Sequence, residues 1–146
     1  MTTASATLDL ESARLVLAAQ PFAALVGTEL TEFGDGRATL IVPIRAEIGQ
    51  QFGYVHGGAL SYLADNTLTF AAGTVLGANV LTVGFTITYL RPARGARLRA
   101  EAVVTGSTRR QAVVNCEIYA ESDDTEAILC AVAQGTTRTV DRNLVG

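Results

Sequence analysis

The chain has 146 residues, which is enough for one hydrophobic core and too few for two. Hydrophobic residues make up 49% and charged residues 17%, which excludes a disordered chain and leads us to expect subunit contacts that cover part of the apolar surface. Eleven basic side chains, all of them arginine, stand against fourteen acidic ones, and this balance argues against a nucleic acid partner.

The N-terminal segment predicts a short amphipathic helix. Asp9 is a suitable N-cap, apolar residues follow it at helical spacing, and a second turn is predicted over residues 22–25, stopped by Gly27. No basic region precedes these apolar residues, and no apolar stretch is long and uninterrupted enough to suggest a membrane span. We therefore expect a cytoplasmic protein with no membrane partner, in which residues 1–146 form one domain and residues 1–26 its N-terminal helical segment.

Two strands are predicted next, over residues 28–33 and 37–44. Both runs are apolar and β-branched, and the tripeptide Gly34-Asp35-Gly36 between them is a strong hairpin signal. Residues 45–55 show no clear period and are predicted to form a loop.

A long helix is predicted from about residue 58 to residue 76. Apolar residues recur along it at helical spacing and also occupy much of its other face. A helix that is apolar nearly all round is a buried helix, so we expect it to lie in the core.

Four further strands are predicted over residues 80–90, 97–105, 111–120 and 127–140, and their short connections favour an antiparallel meander. The order of elements indicates an α+β fold, with one curved antiparallel sheet of about six strands wrapped around the central helix. Cys116 and Cys130 fall in apolar strand patterns. With a single histidine they are too few for a four-ligand zinc site, so we expect reduced core thiols and no metal.

Asp65 is the only charged side chain between Ile48 and Leu90, and it lies midway along the predicted core helix. A buried carboxylate is costly unless it is paired or hydrogen-bonded, and aspartate is a poor residue for a helix interior. Ser61 and Thr69 lie four residues to either side and form one polar stripe with it. The stripe either faces an aqueous subunit interface or marks a functional site, and we favour the site.

His56-Gly57-Gly58 lies at the predicted N-terminus of the same helix. Unpaired N–H groups and the positive end of the helix dipole favour a developing oxyanion there, although glycines at a helix start also serve simple turns. His56 could orient the loop or donate to a substrate. A Ser-His-Asp triad is excluded because no Gly-x-Ser-x-Gly elbow surrounds Ser61.

The seven residues from Gly58 to Asp65 span about 10 Å of helix axis, so one substrate carbonyl cannot touch both within one chain. If both act on one bond, they come from two subunits related by a two-fold axis. A dimer is then the smallest complete enzyme.

The segments Gly53-Tyr54-Val55-His56-Gly57-Gly58 and Leu63-Ala64-Asp65-Asn66 resemble the signature of hotdog-fold acyl-CoA thioesterases of the phenylacetate-degradation (PaaI-like) type. The later segment Thr86-Ile87-Thr88-Tyr89-Leu90-Arg91-Pro92-Ala93 is similar to the strand that follows the helix in that family. The likeness covers about residues 25 to 140.

The resemblance implies hydrolysis of a medium-chain, long-chain or aromatic acyl-CoA. In it the Gly57 N–H polarises the carbonyl, and Asp65 of the partner subunit acts as nucleophile or general base. Gln50, six residues before His56, matches a family position that could help position water or substrate. Thr69 matches a hydroxyl position on the helix in the aromatic-acyl branch of the family, and Thr82 matches a serine or threonine on the next strand in the branch that uses aspartate. We expect both, together with Gly58 and Ser61, to contact the substrate.

In that family pantetheine threads between subunits and the nucleotide phosphates meet basic residues, which here implies Arg91, Arg109 and Arg110. Coenzyme A is part of the substrate and no separate cofactor is implied. A homodimer is required and a homotetramer is expected. Two alternatives remain open: a non-catalytic acyl-CoA or lipid-binding hotdog protein, and a hotdog hydratase or dehydratase.

Overall fold

The N-terminal helices lie where the sequence predicts them. We describe residues 8–141 of a computed structural model; residues 1–7 and 142–146 lie outside the description. Helix α1 is Leu10–Ala18, and the N-cap Asp9 accepts a hydrogen bond from the Ser12 N–H at 2.8 Å. Helix α2 is Pro21–Val26 and ends at Gly27, whose φ of 85° suits glycine. Within residues 8–141 no helix is both long and apolar enough to cross a membrane.

Six antiparallel strands form one sheet, as predicted. Their order across the sheet is β1-β2-β4-β5-β6-β3. The strands are β1 Glu29–Gly34, β2 Arg37–Pro43, β3 Val80–Tyr89, β4 Arg97–Ser107, β5 Gln111–Ser122 and β6 Thr125–Thr139. A short 3₁₀ turn, Ala46–Ile48, and the central helix α3, Gly57–Leu76, lie between β2 and β3.

The prediction of a four-strand meander is wrong for β3. This strand pairs with β6, from Val80 opposite Thr139 to Tyr89 opposite Ala131, and forms an edge of the sheet. After β3 the chain passes the start of α3, where the Val55 N–H donates to the Ala93 carbonyl at 2.9 Å. It then enters β4 beside β2. The short connection between β3 and β4 would favour pairing of these two strands, but β4 instead pairs with the free edge of β2 over seven residues.

Helix α3 packs against the sheet and fills its concave side. Leu63, Ala64, Leu68 and Ala71 are almost fully buried, and burial of each leucine contributes about 1.5–3 kcal/mol. Next to this face, Tyr62 and Asn66 meet the N-terminal helices, where the Asn66 amide donates to Gln20. The remaining stripe, Ser61, Asp65 and Thr69, is only half-buried and lies toward β3.

Candidate active site

The start of α3 leaves one backbone N–H group free. The N-cap His56 has extended backbone angles, and its Nδ1 accepts the Gly58 N–H at 2.8 Å. Because Nδ1 accepts, the proton of the neutral ring lies on Nε2. No described residue accepts a hydrogen bond from the Gly57 N–H. Of the two glycines, Gly57 is therefore the one whose N–H can meet an incoming carbonyl oxygen at the positive end of the helix.

Tyr89 holds this end of the helix against the end of β3. Its hydroxyl donates to the Gly57 carbonyl at 3.0 Å and lies 2.8 Å from the Ser61 Oγ. A Cβ atom at Gly57 would lie 3.4 Å from the Tyr89 ring, and one at Gly58 would lie 2.9 Å from the His56 Nδ1. Sequence analysis singled out Ser61 and the glycines but missed Tyr89, since one tyrosine at a strand end gives no signal of its own.

Gln50 lies in the loop before His56, and its side chain turns back on that loop. Its Oε1 accepts from the backbone N–H of Phe52 at 2.5 Å and of Tyr54 at 3.4 Å. The Gly53 N–H donates to the Gln50 carbonyl, which closes the turn. Gln50 thus shapes the loop that leads into α3, and a contact of its side chain with water or substrate stays a prediction.

Asp65 lies in a hydrogen-bonded cluster with two threonines. Thr82 on β3 donates its hydroxyl to the Asp65 Oδ1 at 2.5 Å, and the Thr69 Oγ1 lies 2.8 Å from the Thr82 Oγ1. The Thr69 Oγ1 is also 2.8 Å from the backbone carbonyl of Asp65. Each hydroxyl has one proton: that of Thr82 goes to the carboxylate, and that of Thr69 is shared between the Asp65 carbonyl and the Thr82 Oγ1. The sequence had pointed to all three residues, and the fold brings them together.

The other carboxylate oxygen of Asp65 receives no hydrogen bond from any described residue. The side chain is half-buried in the protomer, not fully buried as expected from the apolar helix. One oxygen is thus held in place and the second is available, an arrangement suited to a nucleophile or a general base.

The two parts of the site lie apart within one protomer. Gly57 and Asp65 are eight residues apart on α3, about 12 Å along its axis. Gly57 lies by Tyr89 at the end of β3, whereas Asp65 lies by Thr82 near its start.

The predicted arginines also form two groups rather than one patch. Arg91 lies just beyond the end of β3 and donates to the Leu129 carbonyl at 2.9 Å. Arg109 and Arg110 lie in the turn between β4 and β5, where the Thr139 N–H donates to the Arg110 carbonyl at 2.8 Å. That turn adjoins the start of β3, because Thr139 pairs with Val80. Arg110 lines a surface cavity of about 650 Å³ together with Arg138, which sequence analysis missed.

The two thiols lie in the core, as expected. Cys116 and Cys130 are both unpaired and fully buried. Burial raises the pKa of the Cys116 thiol to about 12, and it raises the pKa of Cys130 as well. Neither thiol is therefore suited to act as a nucleophile at neutral pH.

A curved antiparallel sheet wrapped around one long helix is the hotdog architecture. Comparison with known proteins agrees. Residues 52–127 match the model of the thioesterase superfamily, and the chain belongs to that family. The matched segment includes Gly57 and Asp65 and begins after Gln50.

Individual relatives span most of the chain. A Halobacterium salinarum protein named provisionally as an esterase is 32% identical over 121 residues, which cover 77% of this chain and 80% of that protein. The structure of a thioesterase family protein from Silicibacter pomeroyi is 30% identical with a TM-score of 0.82, covering 87% of this chain and 94% of that one. A single-residue variant of the phenylacetic acid degradation protein PaaI from Thermus thermophilus is 28% identical with a TM-score of 0.71, covering 83% and 100%. This membership supports hydrolase activity.

Proposed function

We propose that this protein is an acyl-CoA thioesterase whose active site forms across a homodimer, with Asp65 from one subunit and the Gly57 N–H from the other. The observation that carries the proposal is the state of the carboxylate. Thr82 holds one oxygen of Asp65, and the second oxygen has no partner among the described residues. That oxygen is not enclosed within the protomer, so a water molecule or a substrate at the subunit surface can reach it.

The uncovered edge of β3 supports the dimer. Ten residues, none of them charged, form this strand, and it pairs only with β6 in the described chain. Leu81 and Val83 are more than half exposed. A long, uncharged edge with exposed apolar side chains pairs readily with another strand.

Antiparallel pairing of two β3 strands about a two-fold axis would bring together the two parts of the site, Gly57 and Asp65, which lie apart within one protomer. The start of β3 in one subunit then lies opposite the end of β3 in the other. Asp65, beside Thr82 at the start, comes toward the partner's Gly57, beside the partner's Tyr89 at the end. The same operation brings the Arg110 and Arg138 group of one subunit to the side of the partner's Arg91.

In the proposed reaction the thioester carbonyl oxygen accepts a hydrogen bond from the Gly57 N–H. As a general base, the free Asp65 oxygen takes a proton from water while the water oxygen attacks the carbonyl carbon. The tetrahedral oxyanion then collapses, the carbon–sulfur bond breaks, and the CoA thiolate leaves and takes up the proton. As a nucleophile, Asp65 attacks the carbon itself, expels the thiolate and forms an anhydride that water hydrolyses.

The partners follow from this scheme. Coenzyme A enters as part of the substrate, pantetheine lies between the subunits, and arginines at the two ends of β3 meet the phosphates. No separate cofactor takes part in either route. The homodimer is the catalytic unit, and we propose a homotetramer as the assembled form.

The test is thiol release from aliphatic and aromatic acyl-CoAs by wild type and by Asp65→Asn. The substitution keeps the shape of the side chain and removes the basic oxygen, so we expect kcat to fall by about 10²–10⁴. Asn115→Asp, on the face of β5 turned away from α3, serves as a matched control for the amide and carboxylate exchange, and its rate should equal that of wild type.

Full activity in Asp65→Asn would refute the assigned role. Acyl-CoA binding without thiol release by wild type would instead favour the non-catalytic binding protein. Addition of water to an enoyl-CoA, or loss of water from a β-hydroxyacyl-CoA, with the thioester intact, would favour the hydratase or dehydratase.

A further inference from the structure

A small cavity lies beneath the N-terminal helix, beside the Asp65 cluster. Its volume is about 110 Å³. Ala13 and Val16 of α1 form one wall, and Phe33 and Phe70 lie on the other side with their rings edge to face at 6.3 Å. Gln20 and Thr69 are the polar side chains in the lining, and no charged side chain of the described residues contributes to it.

Thr69 connects this cavity to the proposed site. Its side chain lines the cavity, and its hydroxyl lies 2.8 Å from the Thr82 hydroxyl, which donates to Asp65. An acyl chain that extends from a carbonyl at Asp65 past Thr69 would enter this apolar space. The cavity therefore adjoins the polar cluster through Thr69, on the side away from Gly57.

Gly73 keeps this space open. It follows Thr69 by one helical turn on the same stripe, and it is buried, yet a Cβ atom built on it would meet no atom within 4 Å. Glycine inside a helix costs about 0.5–1 kcal/mol relative to alanine. Neither a close neighbour nor a positive φ requires glycine at this position, in contrast to Gly77, whose φ is 95°. What the missing side chain provides is volume in the cavity.

We propose that this cavity holds the tail of the acyl group and that Gly73 sets its depth, so that the enzyme prefers straight aliphatic acyl chains of about six to eight carbons. This inference rests on the proposed thioester hydrolysis. A water-sized group occupies about 30 Å³, so the cavity takes about four such groups beyond the carbons at its mouth. An apolar cavity that holds a benzene ring measures about 150 Å³, which disfavours an aromatic acyl group here. The uncharged lining disfavours an acyl group that ends in a carboxylate.

The experiment compares kcat/KM for butyryl-, hexanoyl-, octanoyl-, decanoyl- and phenylacetyl-CoA in wild type, Gly73→Ala and Gly73→Val. Burial of one methylene group raises kcat/KM by about fourfold, and a valine side chain at position 73 would take the space of about two methylene groups. We expect the octanoyl to butyryl ratio to fall at least about tenfold in Gly73→Val and less in Gly73→Ala. Val16→Ala, which widens the opposite wall, should move the preference toward longer chains.

The controls distinguish a change in the depth of the cavity from a loss of folding stability. Alanine has a higher helix propensity than glycine, so Gly73→Ala should melt at the same temperature as wild type or higher. Val75→Ala changes an exposed side chain on the same helix that does not line the cavity, and its chain-length profile should match that of wild type. An unchanged profile in Gly73→Val, or an equal loss on every substrate, would overturn the inference.

A binding measurement makes the result independent of turnover. The thioethers S-butyl-CoA and S-octyl-CoA cannot be hydrolysed, and calorimetry gives their affinities for wild type and Gly73→Val. We expect wild type to bind S-octyl-CoA more tightly than S-butyl-CoA, and Gly73→Val to lose this preference. This binding result would support the pocket even if wild type hydrolysed no acyl-CoA, in which case only the proposed reaction would be wrong. Hydrolysis by wild type with equal octyl preference in both proteins would exclude the pocket and leave the reaction intact. If neither thioether binds to wild type, the pocket inference is wrong.

Discussion

The two edges of the sheet differ in how they are protected. β1 is six residues long and includes two glutamates, and α1 packs beside it. Arg14 of α1 donates its Nε–H to the Leu30 carbonyl at 2.9 Å, so an edge group that would otherwise be open to another chain is occupied. Short, charged and covered edges are the usual means of preventing unwanted strand pairing.

β3 has none of these protections. It is ten residues long and uncharged, and Val83 is 61% exposed. Asp65 lies beside this edge and not beside the protected one. The comparison teaches that the chain covers one edge by itself and leaves the other open, and the open edge is the one at which the catalytic groups meet in the proposed dimer.

Among substitutions at the two edges, the largest effect is expected from a charge placed on the open edge. Val83→Lys should prevent pairing of two β3 strands, because an edge lysine would have to be desolvated against its copy. Loss of the dimer would remove the partner's Gly57 N–H from the site, and loss of one such donor costs about 10²–10³ in kcat. Light scattering after gel filtration gives the oligomeric state, and thiol release gives the rate.

Thr31→Lys is the matched control on the protected edge. Thr31 and Val83 each lie at the bulge of their edge strand. Thr31→Lys should leave both the dimer and the rate as in wild type. A dimer that survives Val83→Lys with full activity would show that subunits meet elsewhere.

A smaller effect is expected from Thr82→Val, which keeps the shape of the side chain and removes the hydrogen bond to Asp65. A hydrogen bond to a charged group is worth about 1.5–3 kcal/mol, so kcat should fall about 10- to 100-fold with the dimer intact. Steady-state rates with one acyl-CoA measure this. Thr86→Val, an exposed threonine on the same strand, should change nothing, and equal rates for both variants would mean that Asp65 acts without Thr82.

The smallest effect is expected on the protected edge itself. Arg14→Met keeps most of the aliphatic stem and removes the hydrogen bond to Leu30, so the free energy of unfolding should fall by about 1 kcal/mol. Urea unfolding measures the change. The nearby ion pair with Glu11 is exposed and adds little. A change in oligomeric state in this variant would contradict the division of roles between the two edges.

Periodicity and turn residues predicted nearly every element of the fold. The helix predicted over residues 58–76 begins one residue earlier, and each strand lies within a few residues of its prediction. The order of the strands was not predictable in the same way. Alternation of apolar and polar residues indicates which face of a strand is buried, but it does not indicate which strand lies next to it. The sequence therefore predicted β3 beside β4, whereas it pairs with β6.

Asp65 could be found from the sequence because a single charge in a long apolar stretch is conspicuous. Its hydrogen bond to Thr82, 17 residues further along the chain, depends on how α3 crosses β3. No role for Tyr89 or Arg138 was predicted from the sequence, since each belongs to its site only through strand pairing and helix packing. The family resemblance already implied the Gly57 N–H, and the geometry of the His56 cap, which occupies the Gly58 N–H, supplies the physical reason.

The sequence by itself therefore determined the elements, the central helix and the identity of the main polar groups, because these follow from local propensity and from the pattern of apolar and polar residues. Only the tertiary structure decided which edge of the sheet stays open, which oxygen of Asp65 is free, and where the cavity above Gly73 lies. These features depend on contacts between residues far apart in the chain, and such contacts leave little trace in local sequence.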